Sequence, residues 1–407
     1  MRLLITSDYL NPTDIGGSGR VLLEVARHLV SRGHEVEFLT GSEQSGNSSF
    51  VFDGVTFTWT TFAYPRTGSR GLRSAMRVRS EIRRVGMPVA GSAEVVLHVQ
   101  PFTAAALTRC PTPSVYLFLS PWPLEYLAER AGTDDPRRVS ELGLKGQLAY
   151  HARRRVEGKA VRGADRWVTI SQVSRRHLSE LHGIPADAIP VAYPAVDTVA
   201  FQPVDDAGRR AQRERWGIAD GELMIACVRR LVARTGVDLL LHAFAAIAEQ
   251  LPKARLLIAG KGAATDDLHA LHERLDLGDQ VRFLGYVADE ELPGLYQGAD
   301  LTVMPTRALE GFGLATVESM ACGTPVIATP VGGSTEILEP FEASLLCEDV
   351  TPAALAATLL HWGDRAKLAQ LRDRCRSYVT TTYSWKHMTD AIEAQALTLE
   401  RAVAAPA

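Results

Sequence analysis

Two acids, Glu310 and Glu318, lie eight positions apart on either side of the bend Gly311-Phe312-Gly313. A carboxylate accepts from two donors at once, so it suits the paired hydroxyls of a sugar or ribose. The stretch before the bend, "DLTVMP", reads as a strand ending at Pro305, and "LATVESMAC" after it has helical spacing, with Gly323 as a stop. Leu314, Ala315 and Thr316 would then present unpaired backbone amides at a helix start, where the helix dipole also favours a phosphate. Gly313 and its neighbouring glycine remove side chains that would block its approach. Glu318, one turn in, reaches a group beside the phosphate, such as ribose hydroxyls; Glu310 reaches the other side, where a sugar would sit. The same spacing also describes a surface helix with a tight turn and two solvated acids.

Two further loops carry candidate chemistry. In "DIGGSGRVLLE", Gly16, Gly17 and Gly19 precede Arg20. This is not a G-x-G-x-x-G fingerprint, so no dinucleotide is specifically indicated. It is either a place where a ligand presses on bare backbone or a flexible turn. In "CVRRLVARTG", Arg229 and Arg230 follow an apolar run and Arg234 comes shortly after. Arginine at a strand's carboxyl end can clamp a pyrophosphate bidentately; a solvated basic turn is the alternative.

The elements that must position these loops fall into two series. "RLLITSD", "HEVEFLTG", "VVLHVQ" (95–100), "SVYLFLS" (114–120), "RWVTIS" (166–171) and "AIPVAYP" (188–194) read as strands. "GRVLLEVARHLVSRG" reads as a helix that Gly33 ends. After the polar stretch "FQPVDDAGRRAQRERWG" (201–217), "LMIACVRR", "ARLLIAGKG", "VRFLGYV", "LTVMP", "TPVIATP" and "SLLCED" form a second strand series separated by helices. Alternating strands and helices make parallel, doubly wound sheets, so the fold class is α/β with two Rossmann-like domains. The expected domains are 1–200 and 201–383, with a final helix (384–407) packing back on the first. Such sheets bind ligands beyond the carboxyl ends of their strands, which would put the loops at 15–19 and 311–313 on opposite walls of one cleft.

Composition agrees with a folded protein: 407 residues, 46% hydrophobic and 22% charged. A net charge of -3 gives no drive toward nucleic acid. No run of about 18 apolar residues spans a membrane, and the N-terminus lacks the apolar region of a signal peptide. Five cysteines without paired spacing suggest free thiols in a cytoplasmic protein, and no Cys/His cluster has metal-ligand spacing.

Together these residues resemble a retaining glycosyltransferase of the GT-B fold, of the family 4 (group 1) class. The likeness covers nearly the whole chain. Its most specific part is "VRFLGYVADEELPGLYQGADLTVMPTRALEGFGLATVESMACGTPVIATPVGGSTEIL", similar to that family's E-x7-E signature with Glu310 and Glu318 as the acids. "GGSGRVLLEVARHLVSRGHEVEFLT", "ADRWVTIS" and "VRRLVARTGVDLLLHAF" match other family segments. The resemblance implies that Glu318 holds the nucleotide ribose and Glu310 the donor sugar. It implies that the amides of Leu314 and Ala315, with Arg230, hold the pyrophosphate. Gly285 and Tyr286 would meet the base, and Gly16 and Gly17 the donor phosphate and acceptor. It further implies front-face substitution with retention, the donor being a nucleotide sugar and no cofactor or divalent metal being needed.

Departures from the family pattern concern the substrate. Thr235 stands before Gly236 where a lysine is frequent, and Arg234 beside it is the candidate replacement for that charge. In "YLFLSPWPLEY", Leu119 occupies the place of a histidine that commonly faces the donor's 6-hydroxyl. Burying a hydroxyl against leucine costs roughly 1–3 kcal/mol, which points to a 6-deoxysugar or pentose donor unless His98 takes the role. Trp122 is either part of the acceptor pocket or core. The basic segments 66–86 and 151–163 are each either a contact for an anionic acceptor, lipid-linked substrate or membrane surface, or a solvated helix face. Two other outcomes share the architecture: a nucleotide-sugar epimerase and a catalytically silent partner subunit. The acceptor, whether small molecule, glycan or lipid-linked, is not specified by these residues.

Overall fold

The computed structural model describes residues 1–10, 16–43, 45–64 and 72–404, and the chain divides into two compact units. The first contains Met1–Pro123, Leu144–Pro194 and the chain from Trp385 onward. Its strands are β1 (Arg2–Thr6), β2 (Glu35–Ser42), β3 (Gly46–Phe52), β4 (Val55–Ala63), β5 (Val95–His98), β6 (Ser114–Phe118) and β7 (Arg166–Thr169), ordered β3-β4-β2-β1-β5-β6-β7. Between them run the helices α1 (Gly17–Ser31), α2 (Leu72–Ser92), α3 (Pro101–Leu107), α4 (Trp122–Ala131), α5 (Leu144–Arg162) and α6 (Gln172–His182). All neighbouring strands are parallel except β3 against β4. Parallel strands covered on both faces must be apolar throughout, and β5 and β6 are buried at every position. Helix α1 buries Val21, Leu22, Val25 and Leu29, the stripe that its periodicity predicts.

The β3–β4 hairpin is absent from the strand series read above. Asp53 and Gly54 at its turn have φ of 47° and 76°, the left-handed pair of a two-residue hairpin turn. That Asp-Gly signal was present in the sequence. Conversely, 188–194 is not a strand: Val191 makes one isolated bridge to Thr169. Pro190 and Pro194 lack the N–H groups that a ladder needs. "SLLCED" likewise contributes one bridge, Leu346 to Ala328, after a 3-10 turn at Ala343–Leu345.

The second unit contains Leu124–Gly143 and Ala195–Ser384. Its parallel sheet is ordered β10-β9-β8-β11-β12, from β8 (Leu223–Val228), β9 (Ala254–Ala259), β10 (Val281–Gly285), β11 (Leu301–Met304) and β12 (Val326–Ala328). The helices are α7 (Asp206–Arg215), α8 (Val237–Ile247), α9 (Thr265–Arg274), α10 (Leu292–Gly298), α11 (Leu314–Ala321), α12 (Gly333–Glu342), α13 (Pro352–His361), α14 (Arg365–Ala369) and α15 (Arg372–Thr382). Residues 124–143, expected in the first domain, group with this unit. The Leu309 N–H donates to Asp134 Oδ2 at 3.2 Å, and Arg230 faces Glu129 at 3.6 Å.

The last helix, α16 (Trp385–Ala404), belongs to the first unit and packs on α1. Met388, Ile392, Ala396 and Leu399 are its buried stripe. Arg32 pairs with Asp390 at 2.8 Å and with Glu393, which also meets His34 at 2.7 Å.

In both sheets the chain winds one way from a central strand and then the other. The order reverses between β1 and β5 in the first and between β8 and β11 in the second. The crevice beyond the carboxyl ends of such a strand pair is where a doubly wound sheet leaves room for a ligand.

Candidate functional site

In the second unit, β8 ends at Val228 and leads into Arg229 and Arg230, while β11 ends at Met304 and leads to Glu310. The switch point thus brings Arg229 and Glu310 together: Arg229 Nη2 donates to Glu310 Oε2 at 2.6 Å, and Thr306 Oγ1 donates to the same oxygen at 3.3 Å. Arg229 also donates to the Thr306 hydroxyl. The pair is mostly buried, with side-chain exposures of 7% and 14%. Sequence reasoning singled out Arg230, but it is Arg229 that fixes Glu310. Arg230 is exposed, with Glu129 at 3.6 Å.

Leu309, just before Glu310, has φ of 58°. For a leucine this left-handed conformation costs roughly 1–2 kcal/mol, so the surroundings must impose it. Asp134 accepts from its N–H, and its carbonyl accepts from Arg234 Nη1 at 2.8 Å. The Arg234 carbonyl in turn accepts from the N–H groups of Arg307 at 2.9 Å and Ala308 at 3.2 Å. Arg234 therefore braces the loop that carries Glu310. Thr235 is buried and bridges its own turn, donating to the carbonyls of Val232 at 2.7 Å and Arg230 at 2.9 Å.

Gly313, with φ of 102°, caps α11. The expectation for the amides needs one correction. Thr316 N–H is already given to the Gly313 carbonyl at 2.9 Å, because the first turn tightens. Among the described residues, Leu314 and Ala315 N–H find no acceptor within the fold. Glu318 is 9% exposed and accepts from the Tyr296 hydroxyl at 3.3 Å. Burial first, and the nearby Glu318 charge second, push the Tyr296 phenol well above its ordinary range, so it stays a proton donor.

A third loop, after β12, seats the first. Gly333 N–H donates to the Glu310 carbonyl at 2.9 Å. Gly332 has φ of 61°, and a Cβ there would overlap that carbonyl. Nothing in the signature around Glu310 predicts this buttress; the diglycine of "PVGGSTE" was its signal. Gly285 (φ 68°) ends β10, and its carbonyl accepts from Gly260 N–H at 2.6 Å. Tyr286 beside it is 58% exposed.

In the first unit, Gly16 is the N-cap of α1 and Gly17 its first residue, both exposed, and a Cβ at Gly16 would meet nothing. His98 is not open to a substrate: it ends the inner strand β5, is buried, and hydrogen-bonds Thr6 Oγ1 through Nδ1 at 2.8 Å. Burial lowers its pKa to about 4, so it is neutral. Asp8 accepts from the N–H groups of Thr103 at 2.6 Å and Phe102 at 3.1 Å, and burial raises its carboxyl against those bonds. Gln100 Oε1 takes Asp8 N–H at 2.7 Å and Ser7 Oγ at 3.0 Å. Leu119 is half-buried, its carbonyl accepting from Ser174 Oγ at 3.4 Å. Trp122 is half-buried too; its N–H donates to Glu157 Oε1 at 2.7 Å and Arg153 lies over its ring at 5.2 Å. Glu157 is buried with His182 at 2.8 Å, an anchor that sequence reasoning missed. Of the basic segment 66–86, residues 66–71 lie outside the described residues; the rest enters α2, where Arg77, Arg79 and Arg84 are exposed. No helix among the described residues is long and apolar enough to cross a membrane. No group of three or more His, Cys, Asp or Glu among them could hold a metal ion.

Residues 208–381 match the family model for glycosyl transferases group 1, and residues 15–200 that for glycosyltransferase family 4. Mannosylfructose-phosphate synthase of Agrobacterium fabrum is 33% identical over 238 residues, 56% of this chain and 51% of that protein. D-inositol 3-phosphate glycosyltransferase of Mycolicibacterium smegmatis is 32% identical over 241 residues, 58% of this chain and 53% of that protein. The matched stretch thus spans about half the length of these curated relatives. Among solved structures, sucrose-phosphate synthase of Thermosynechococcus elongatus superposes with a TM-score of 0.82 at 19% identity, covering 98% of this chain and 99% of the other. The Anabaena protein HepE, solved with UDP and glucose, gives 0.73 at 21% identity, covering 97% and 99%. Both share the fold of two Rossmann-like domains.

Proposed function

We propose that this chain, which belongs to the group 1, family 4 glycosyltransferases of the GT-B fold, transfers a glycosyl group from a nucleotide sugar to an acceptor hydroxyl with retention at the anomeric carbon. One observation carries this: the β8/β11 switch point presents two uncommitted amides, an oriented carboxylate and a second, tyrosine-held carboxylate within one loop and helix. Leu314 and Ala315 N–H groups and the α11 dipole receive the diphosphate. Arg230, exposed and only distantly paired, closes on it. Glu318 accepts from the ribose hydroxyls. Glu310, fixed by Arg229, accepts from the sugar hydroxyls and holds the anomeric carbon against the acceptor. As the glycosidic bond to the diphosphate breaks, a departing phosphate oxygen takes the acceptor proton while the acceptor oxygen bonds to the same face. The protein's part is to stabilise the growing charge on the diphosphate.

The Leu119 side chain offers no hydrogen bond, and His98 is buried and engaged, so neither side chain serves a 6-hydroxyl. This supports a donor lacking that group, a 6-deoxysugar or a pentose. The UDP and UDP-glucose complexes of HepE support a nucleoside diphosphate as the common part of the donor.

The test is a panel of nucleotide sugars, with and without acceptors, following released nucleoside diphosphate and parallel thermal shifts with free nucleoside diphosphates. Acceptor-dependent release, lost in Glu310→Gln, is expected. Donor interconversion without acceptor identifies an epimerase instead. Thermal shifts that persist unchanged in Glu318→Gln sink the site assignment, and preference for a 6-hydroxy donor over its 6-deoxy counterpart sinks the donor reading.

A further inference from the structure

We infer that the amino end of the second sheet carries a separate binding site for a phosphate-type oxyanion, formed by Arg209, Arg365 and Arg372. The centre of the cluster is Asp300, which directly precedes β11 at its amino end, whereas Glu310 follows the carboxyl end. The four residues of β11 hold the two places about 13 Å apart, so this is not the donor site.

Asp300 is already saturated. Oδ1 accepts from Arg209 Nη2 at 2.5 Å and Arg365 Nε at 3.0 Å; Oδ2 accepts from Arg213 Nη1 at 2.9 Å and the Met224 N–H at 2.8 Å. Burial pushes its carboxyl up, but Arg209, the Met224 amide and Arg213 outweigh this and hold it below its usual range. Arg213 is committed as well, giving its other contacts to the carbonyls of Gly298 at 3.1 Å and Glu222 at 2.6 Å. The remaining three arginines line a cavity of about 250 Å³ with Asp300, Ala366, Leu368 and Ala369.

Two polar features of this cavity are unused. Arg372 is half-buried, and its guanidinium makes no hydrogen bond to any described residue. Arg209 Nε is buried without a partner. The other acid whose charge reaches Arg372 is the exposed Asp206. Four guanidinium charges (Arg209, Arg213, Arg365, Arg372) against two carboxylates (Asp300, Asp206) leave two positive charges over. Burial, and then the nearness of Arg209, lower the Arg372 guanidinium from its ordinary value. Buried charge without a counterpart is costly. A doubly charged oxyanion supplies both the charge and the acceptors, and the planar guanidinium fork matches it bidentately. The apolar side of the cavity, Leu368 and Ala369, leaves room for a small organic group on the phosphate.

The test uses inorganic phosphate on the full chain, against sodium chloride of equal ionic strength, with thermal unfolding as readout. A nucleoside diphosphate is held at saturation so that the donor loop is occupied. At about ten times its dissociation constant, phosphate should raise the unfolding temperature by about 1.5–3 °C. Arg372→Gln should lose most of that rise while keeping the wild-type response to nucleoside diphosphate, which shows that it folds. Arg365→Gln should lower phosphate affinity by about tenfold. A phosphate response that vanishes once the donor loop is filled, one equal in Arg372→Gln and wild type, or none beyond chloride each overturns the proposal. None of these outcomes bears on the transferase reading.

Discussion

The two switch points have the same topology and opposite chemistry. Between β1 and β5, the polar groups satisfy one another: Asp8 caps α3, Gln100 gathers the amides after β1, and His98 is spent on Thr6. Between β8 and β11, the groups are held but not consumed. Glu310 is aimed by Arg229, Glu318 is held by a tyrosine, and two amides of α11 are left open. A doubly wound sheet supplies the crevice in both cases; the loops decide whether the chain closes it or leaves it for a ligand.

The contrast can be broken most severely at Gly332. Gly332→Ala puts a methyl into the Glu310 carbonyl at a φ that alanine resists. A loss of roughly 2–4 kcal/mol in thermal unfolding is expected, with loss of nucleoside diphosphate binding. Glu310→Gln comes next. It keeps the shape but loses the charge that Arg229 orients, and kcat should fall by about 10²–10³ while nucleoside diphosphate affinity stays within about threefold. Equal losses in both would remove Glu310 from the sugar end.

His98 tests the closed side. Its folded pKa lies below its ordinary 6.5, at about 4, so the neutral form is the one that the fold prefers. Its contribution is present above 6.5 and is lost as pH falls from 6.5 toward 4, by about 3 kcal/mol in all. Unfolding curves of His98→Gln against pH should be flatter than wild type over that window; an identical slope refutes the buried-neutral assignment. Glu318→Gln should weaken nucleoside diphosphate binding by about 1.5–3 kcal/mol, read by calorimetry. Smallest is Gly16→Ala, in open space at an extended φ, where stability should shift by less than about 0.5 kcal/mol. A fall in turnover without a fall in stability there would show a ligand pressing on that backbone.

Much of this was legible in the chain. Strong apolar runs with helical stripes between them named ten of the twelve strands among the described residues, and the E-x7-E spacing around Gly311-Phe312-Gly313 marked the candidate site. Errors came where a local pattern admitted two outcomes. The run at 188–194 is apolar enough for a strand, but its prolines cannot donate, and the hairpin at Asp53-Gly54 was signalled by two residues only. Arg229 and Arg230 are indistinguishable by type and adjacent in sequence. Alternation along the chain sends one inward to Glu310 and the other outward, and nothing before folding says which.

By itself, then, the sequence determined most of the element series, the two open amides that follow a glycine bend, and the two acids around them, because these depend on residues near one another along the chain. Tertiary structure alone decided which arginine holds Glu310, that Gly332 seats the loop, that His98 is spent, and that three arginines from two helices, Arg209 and Arg213 of α7 and Arg365 of α14, converge on Asp300. Each of these joins segments separated by many residues, and the pairing is set by which strands the sheet places side by side.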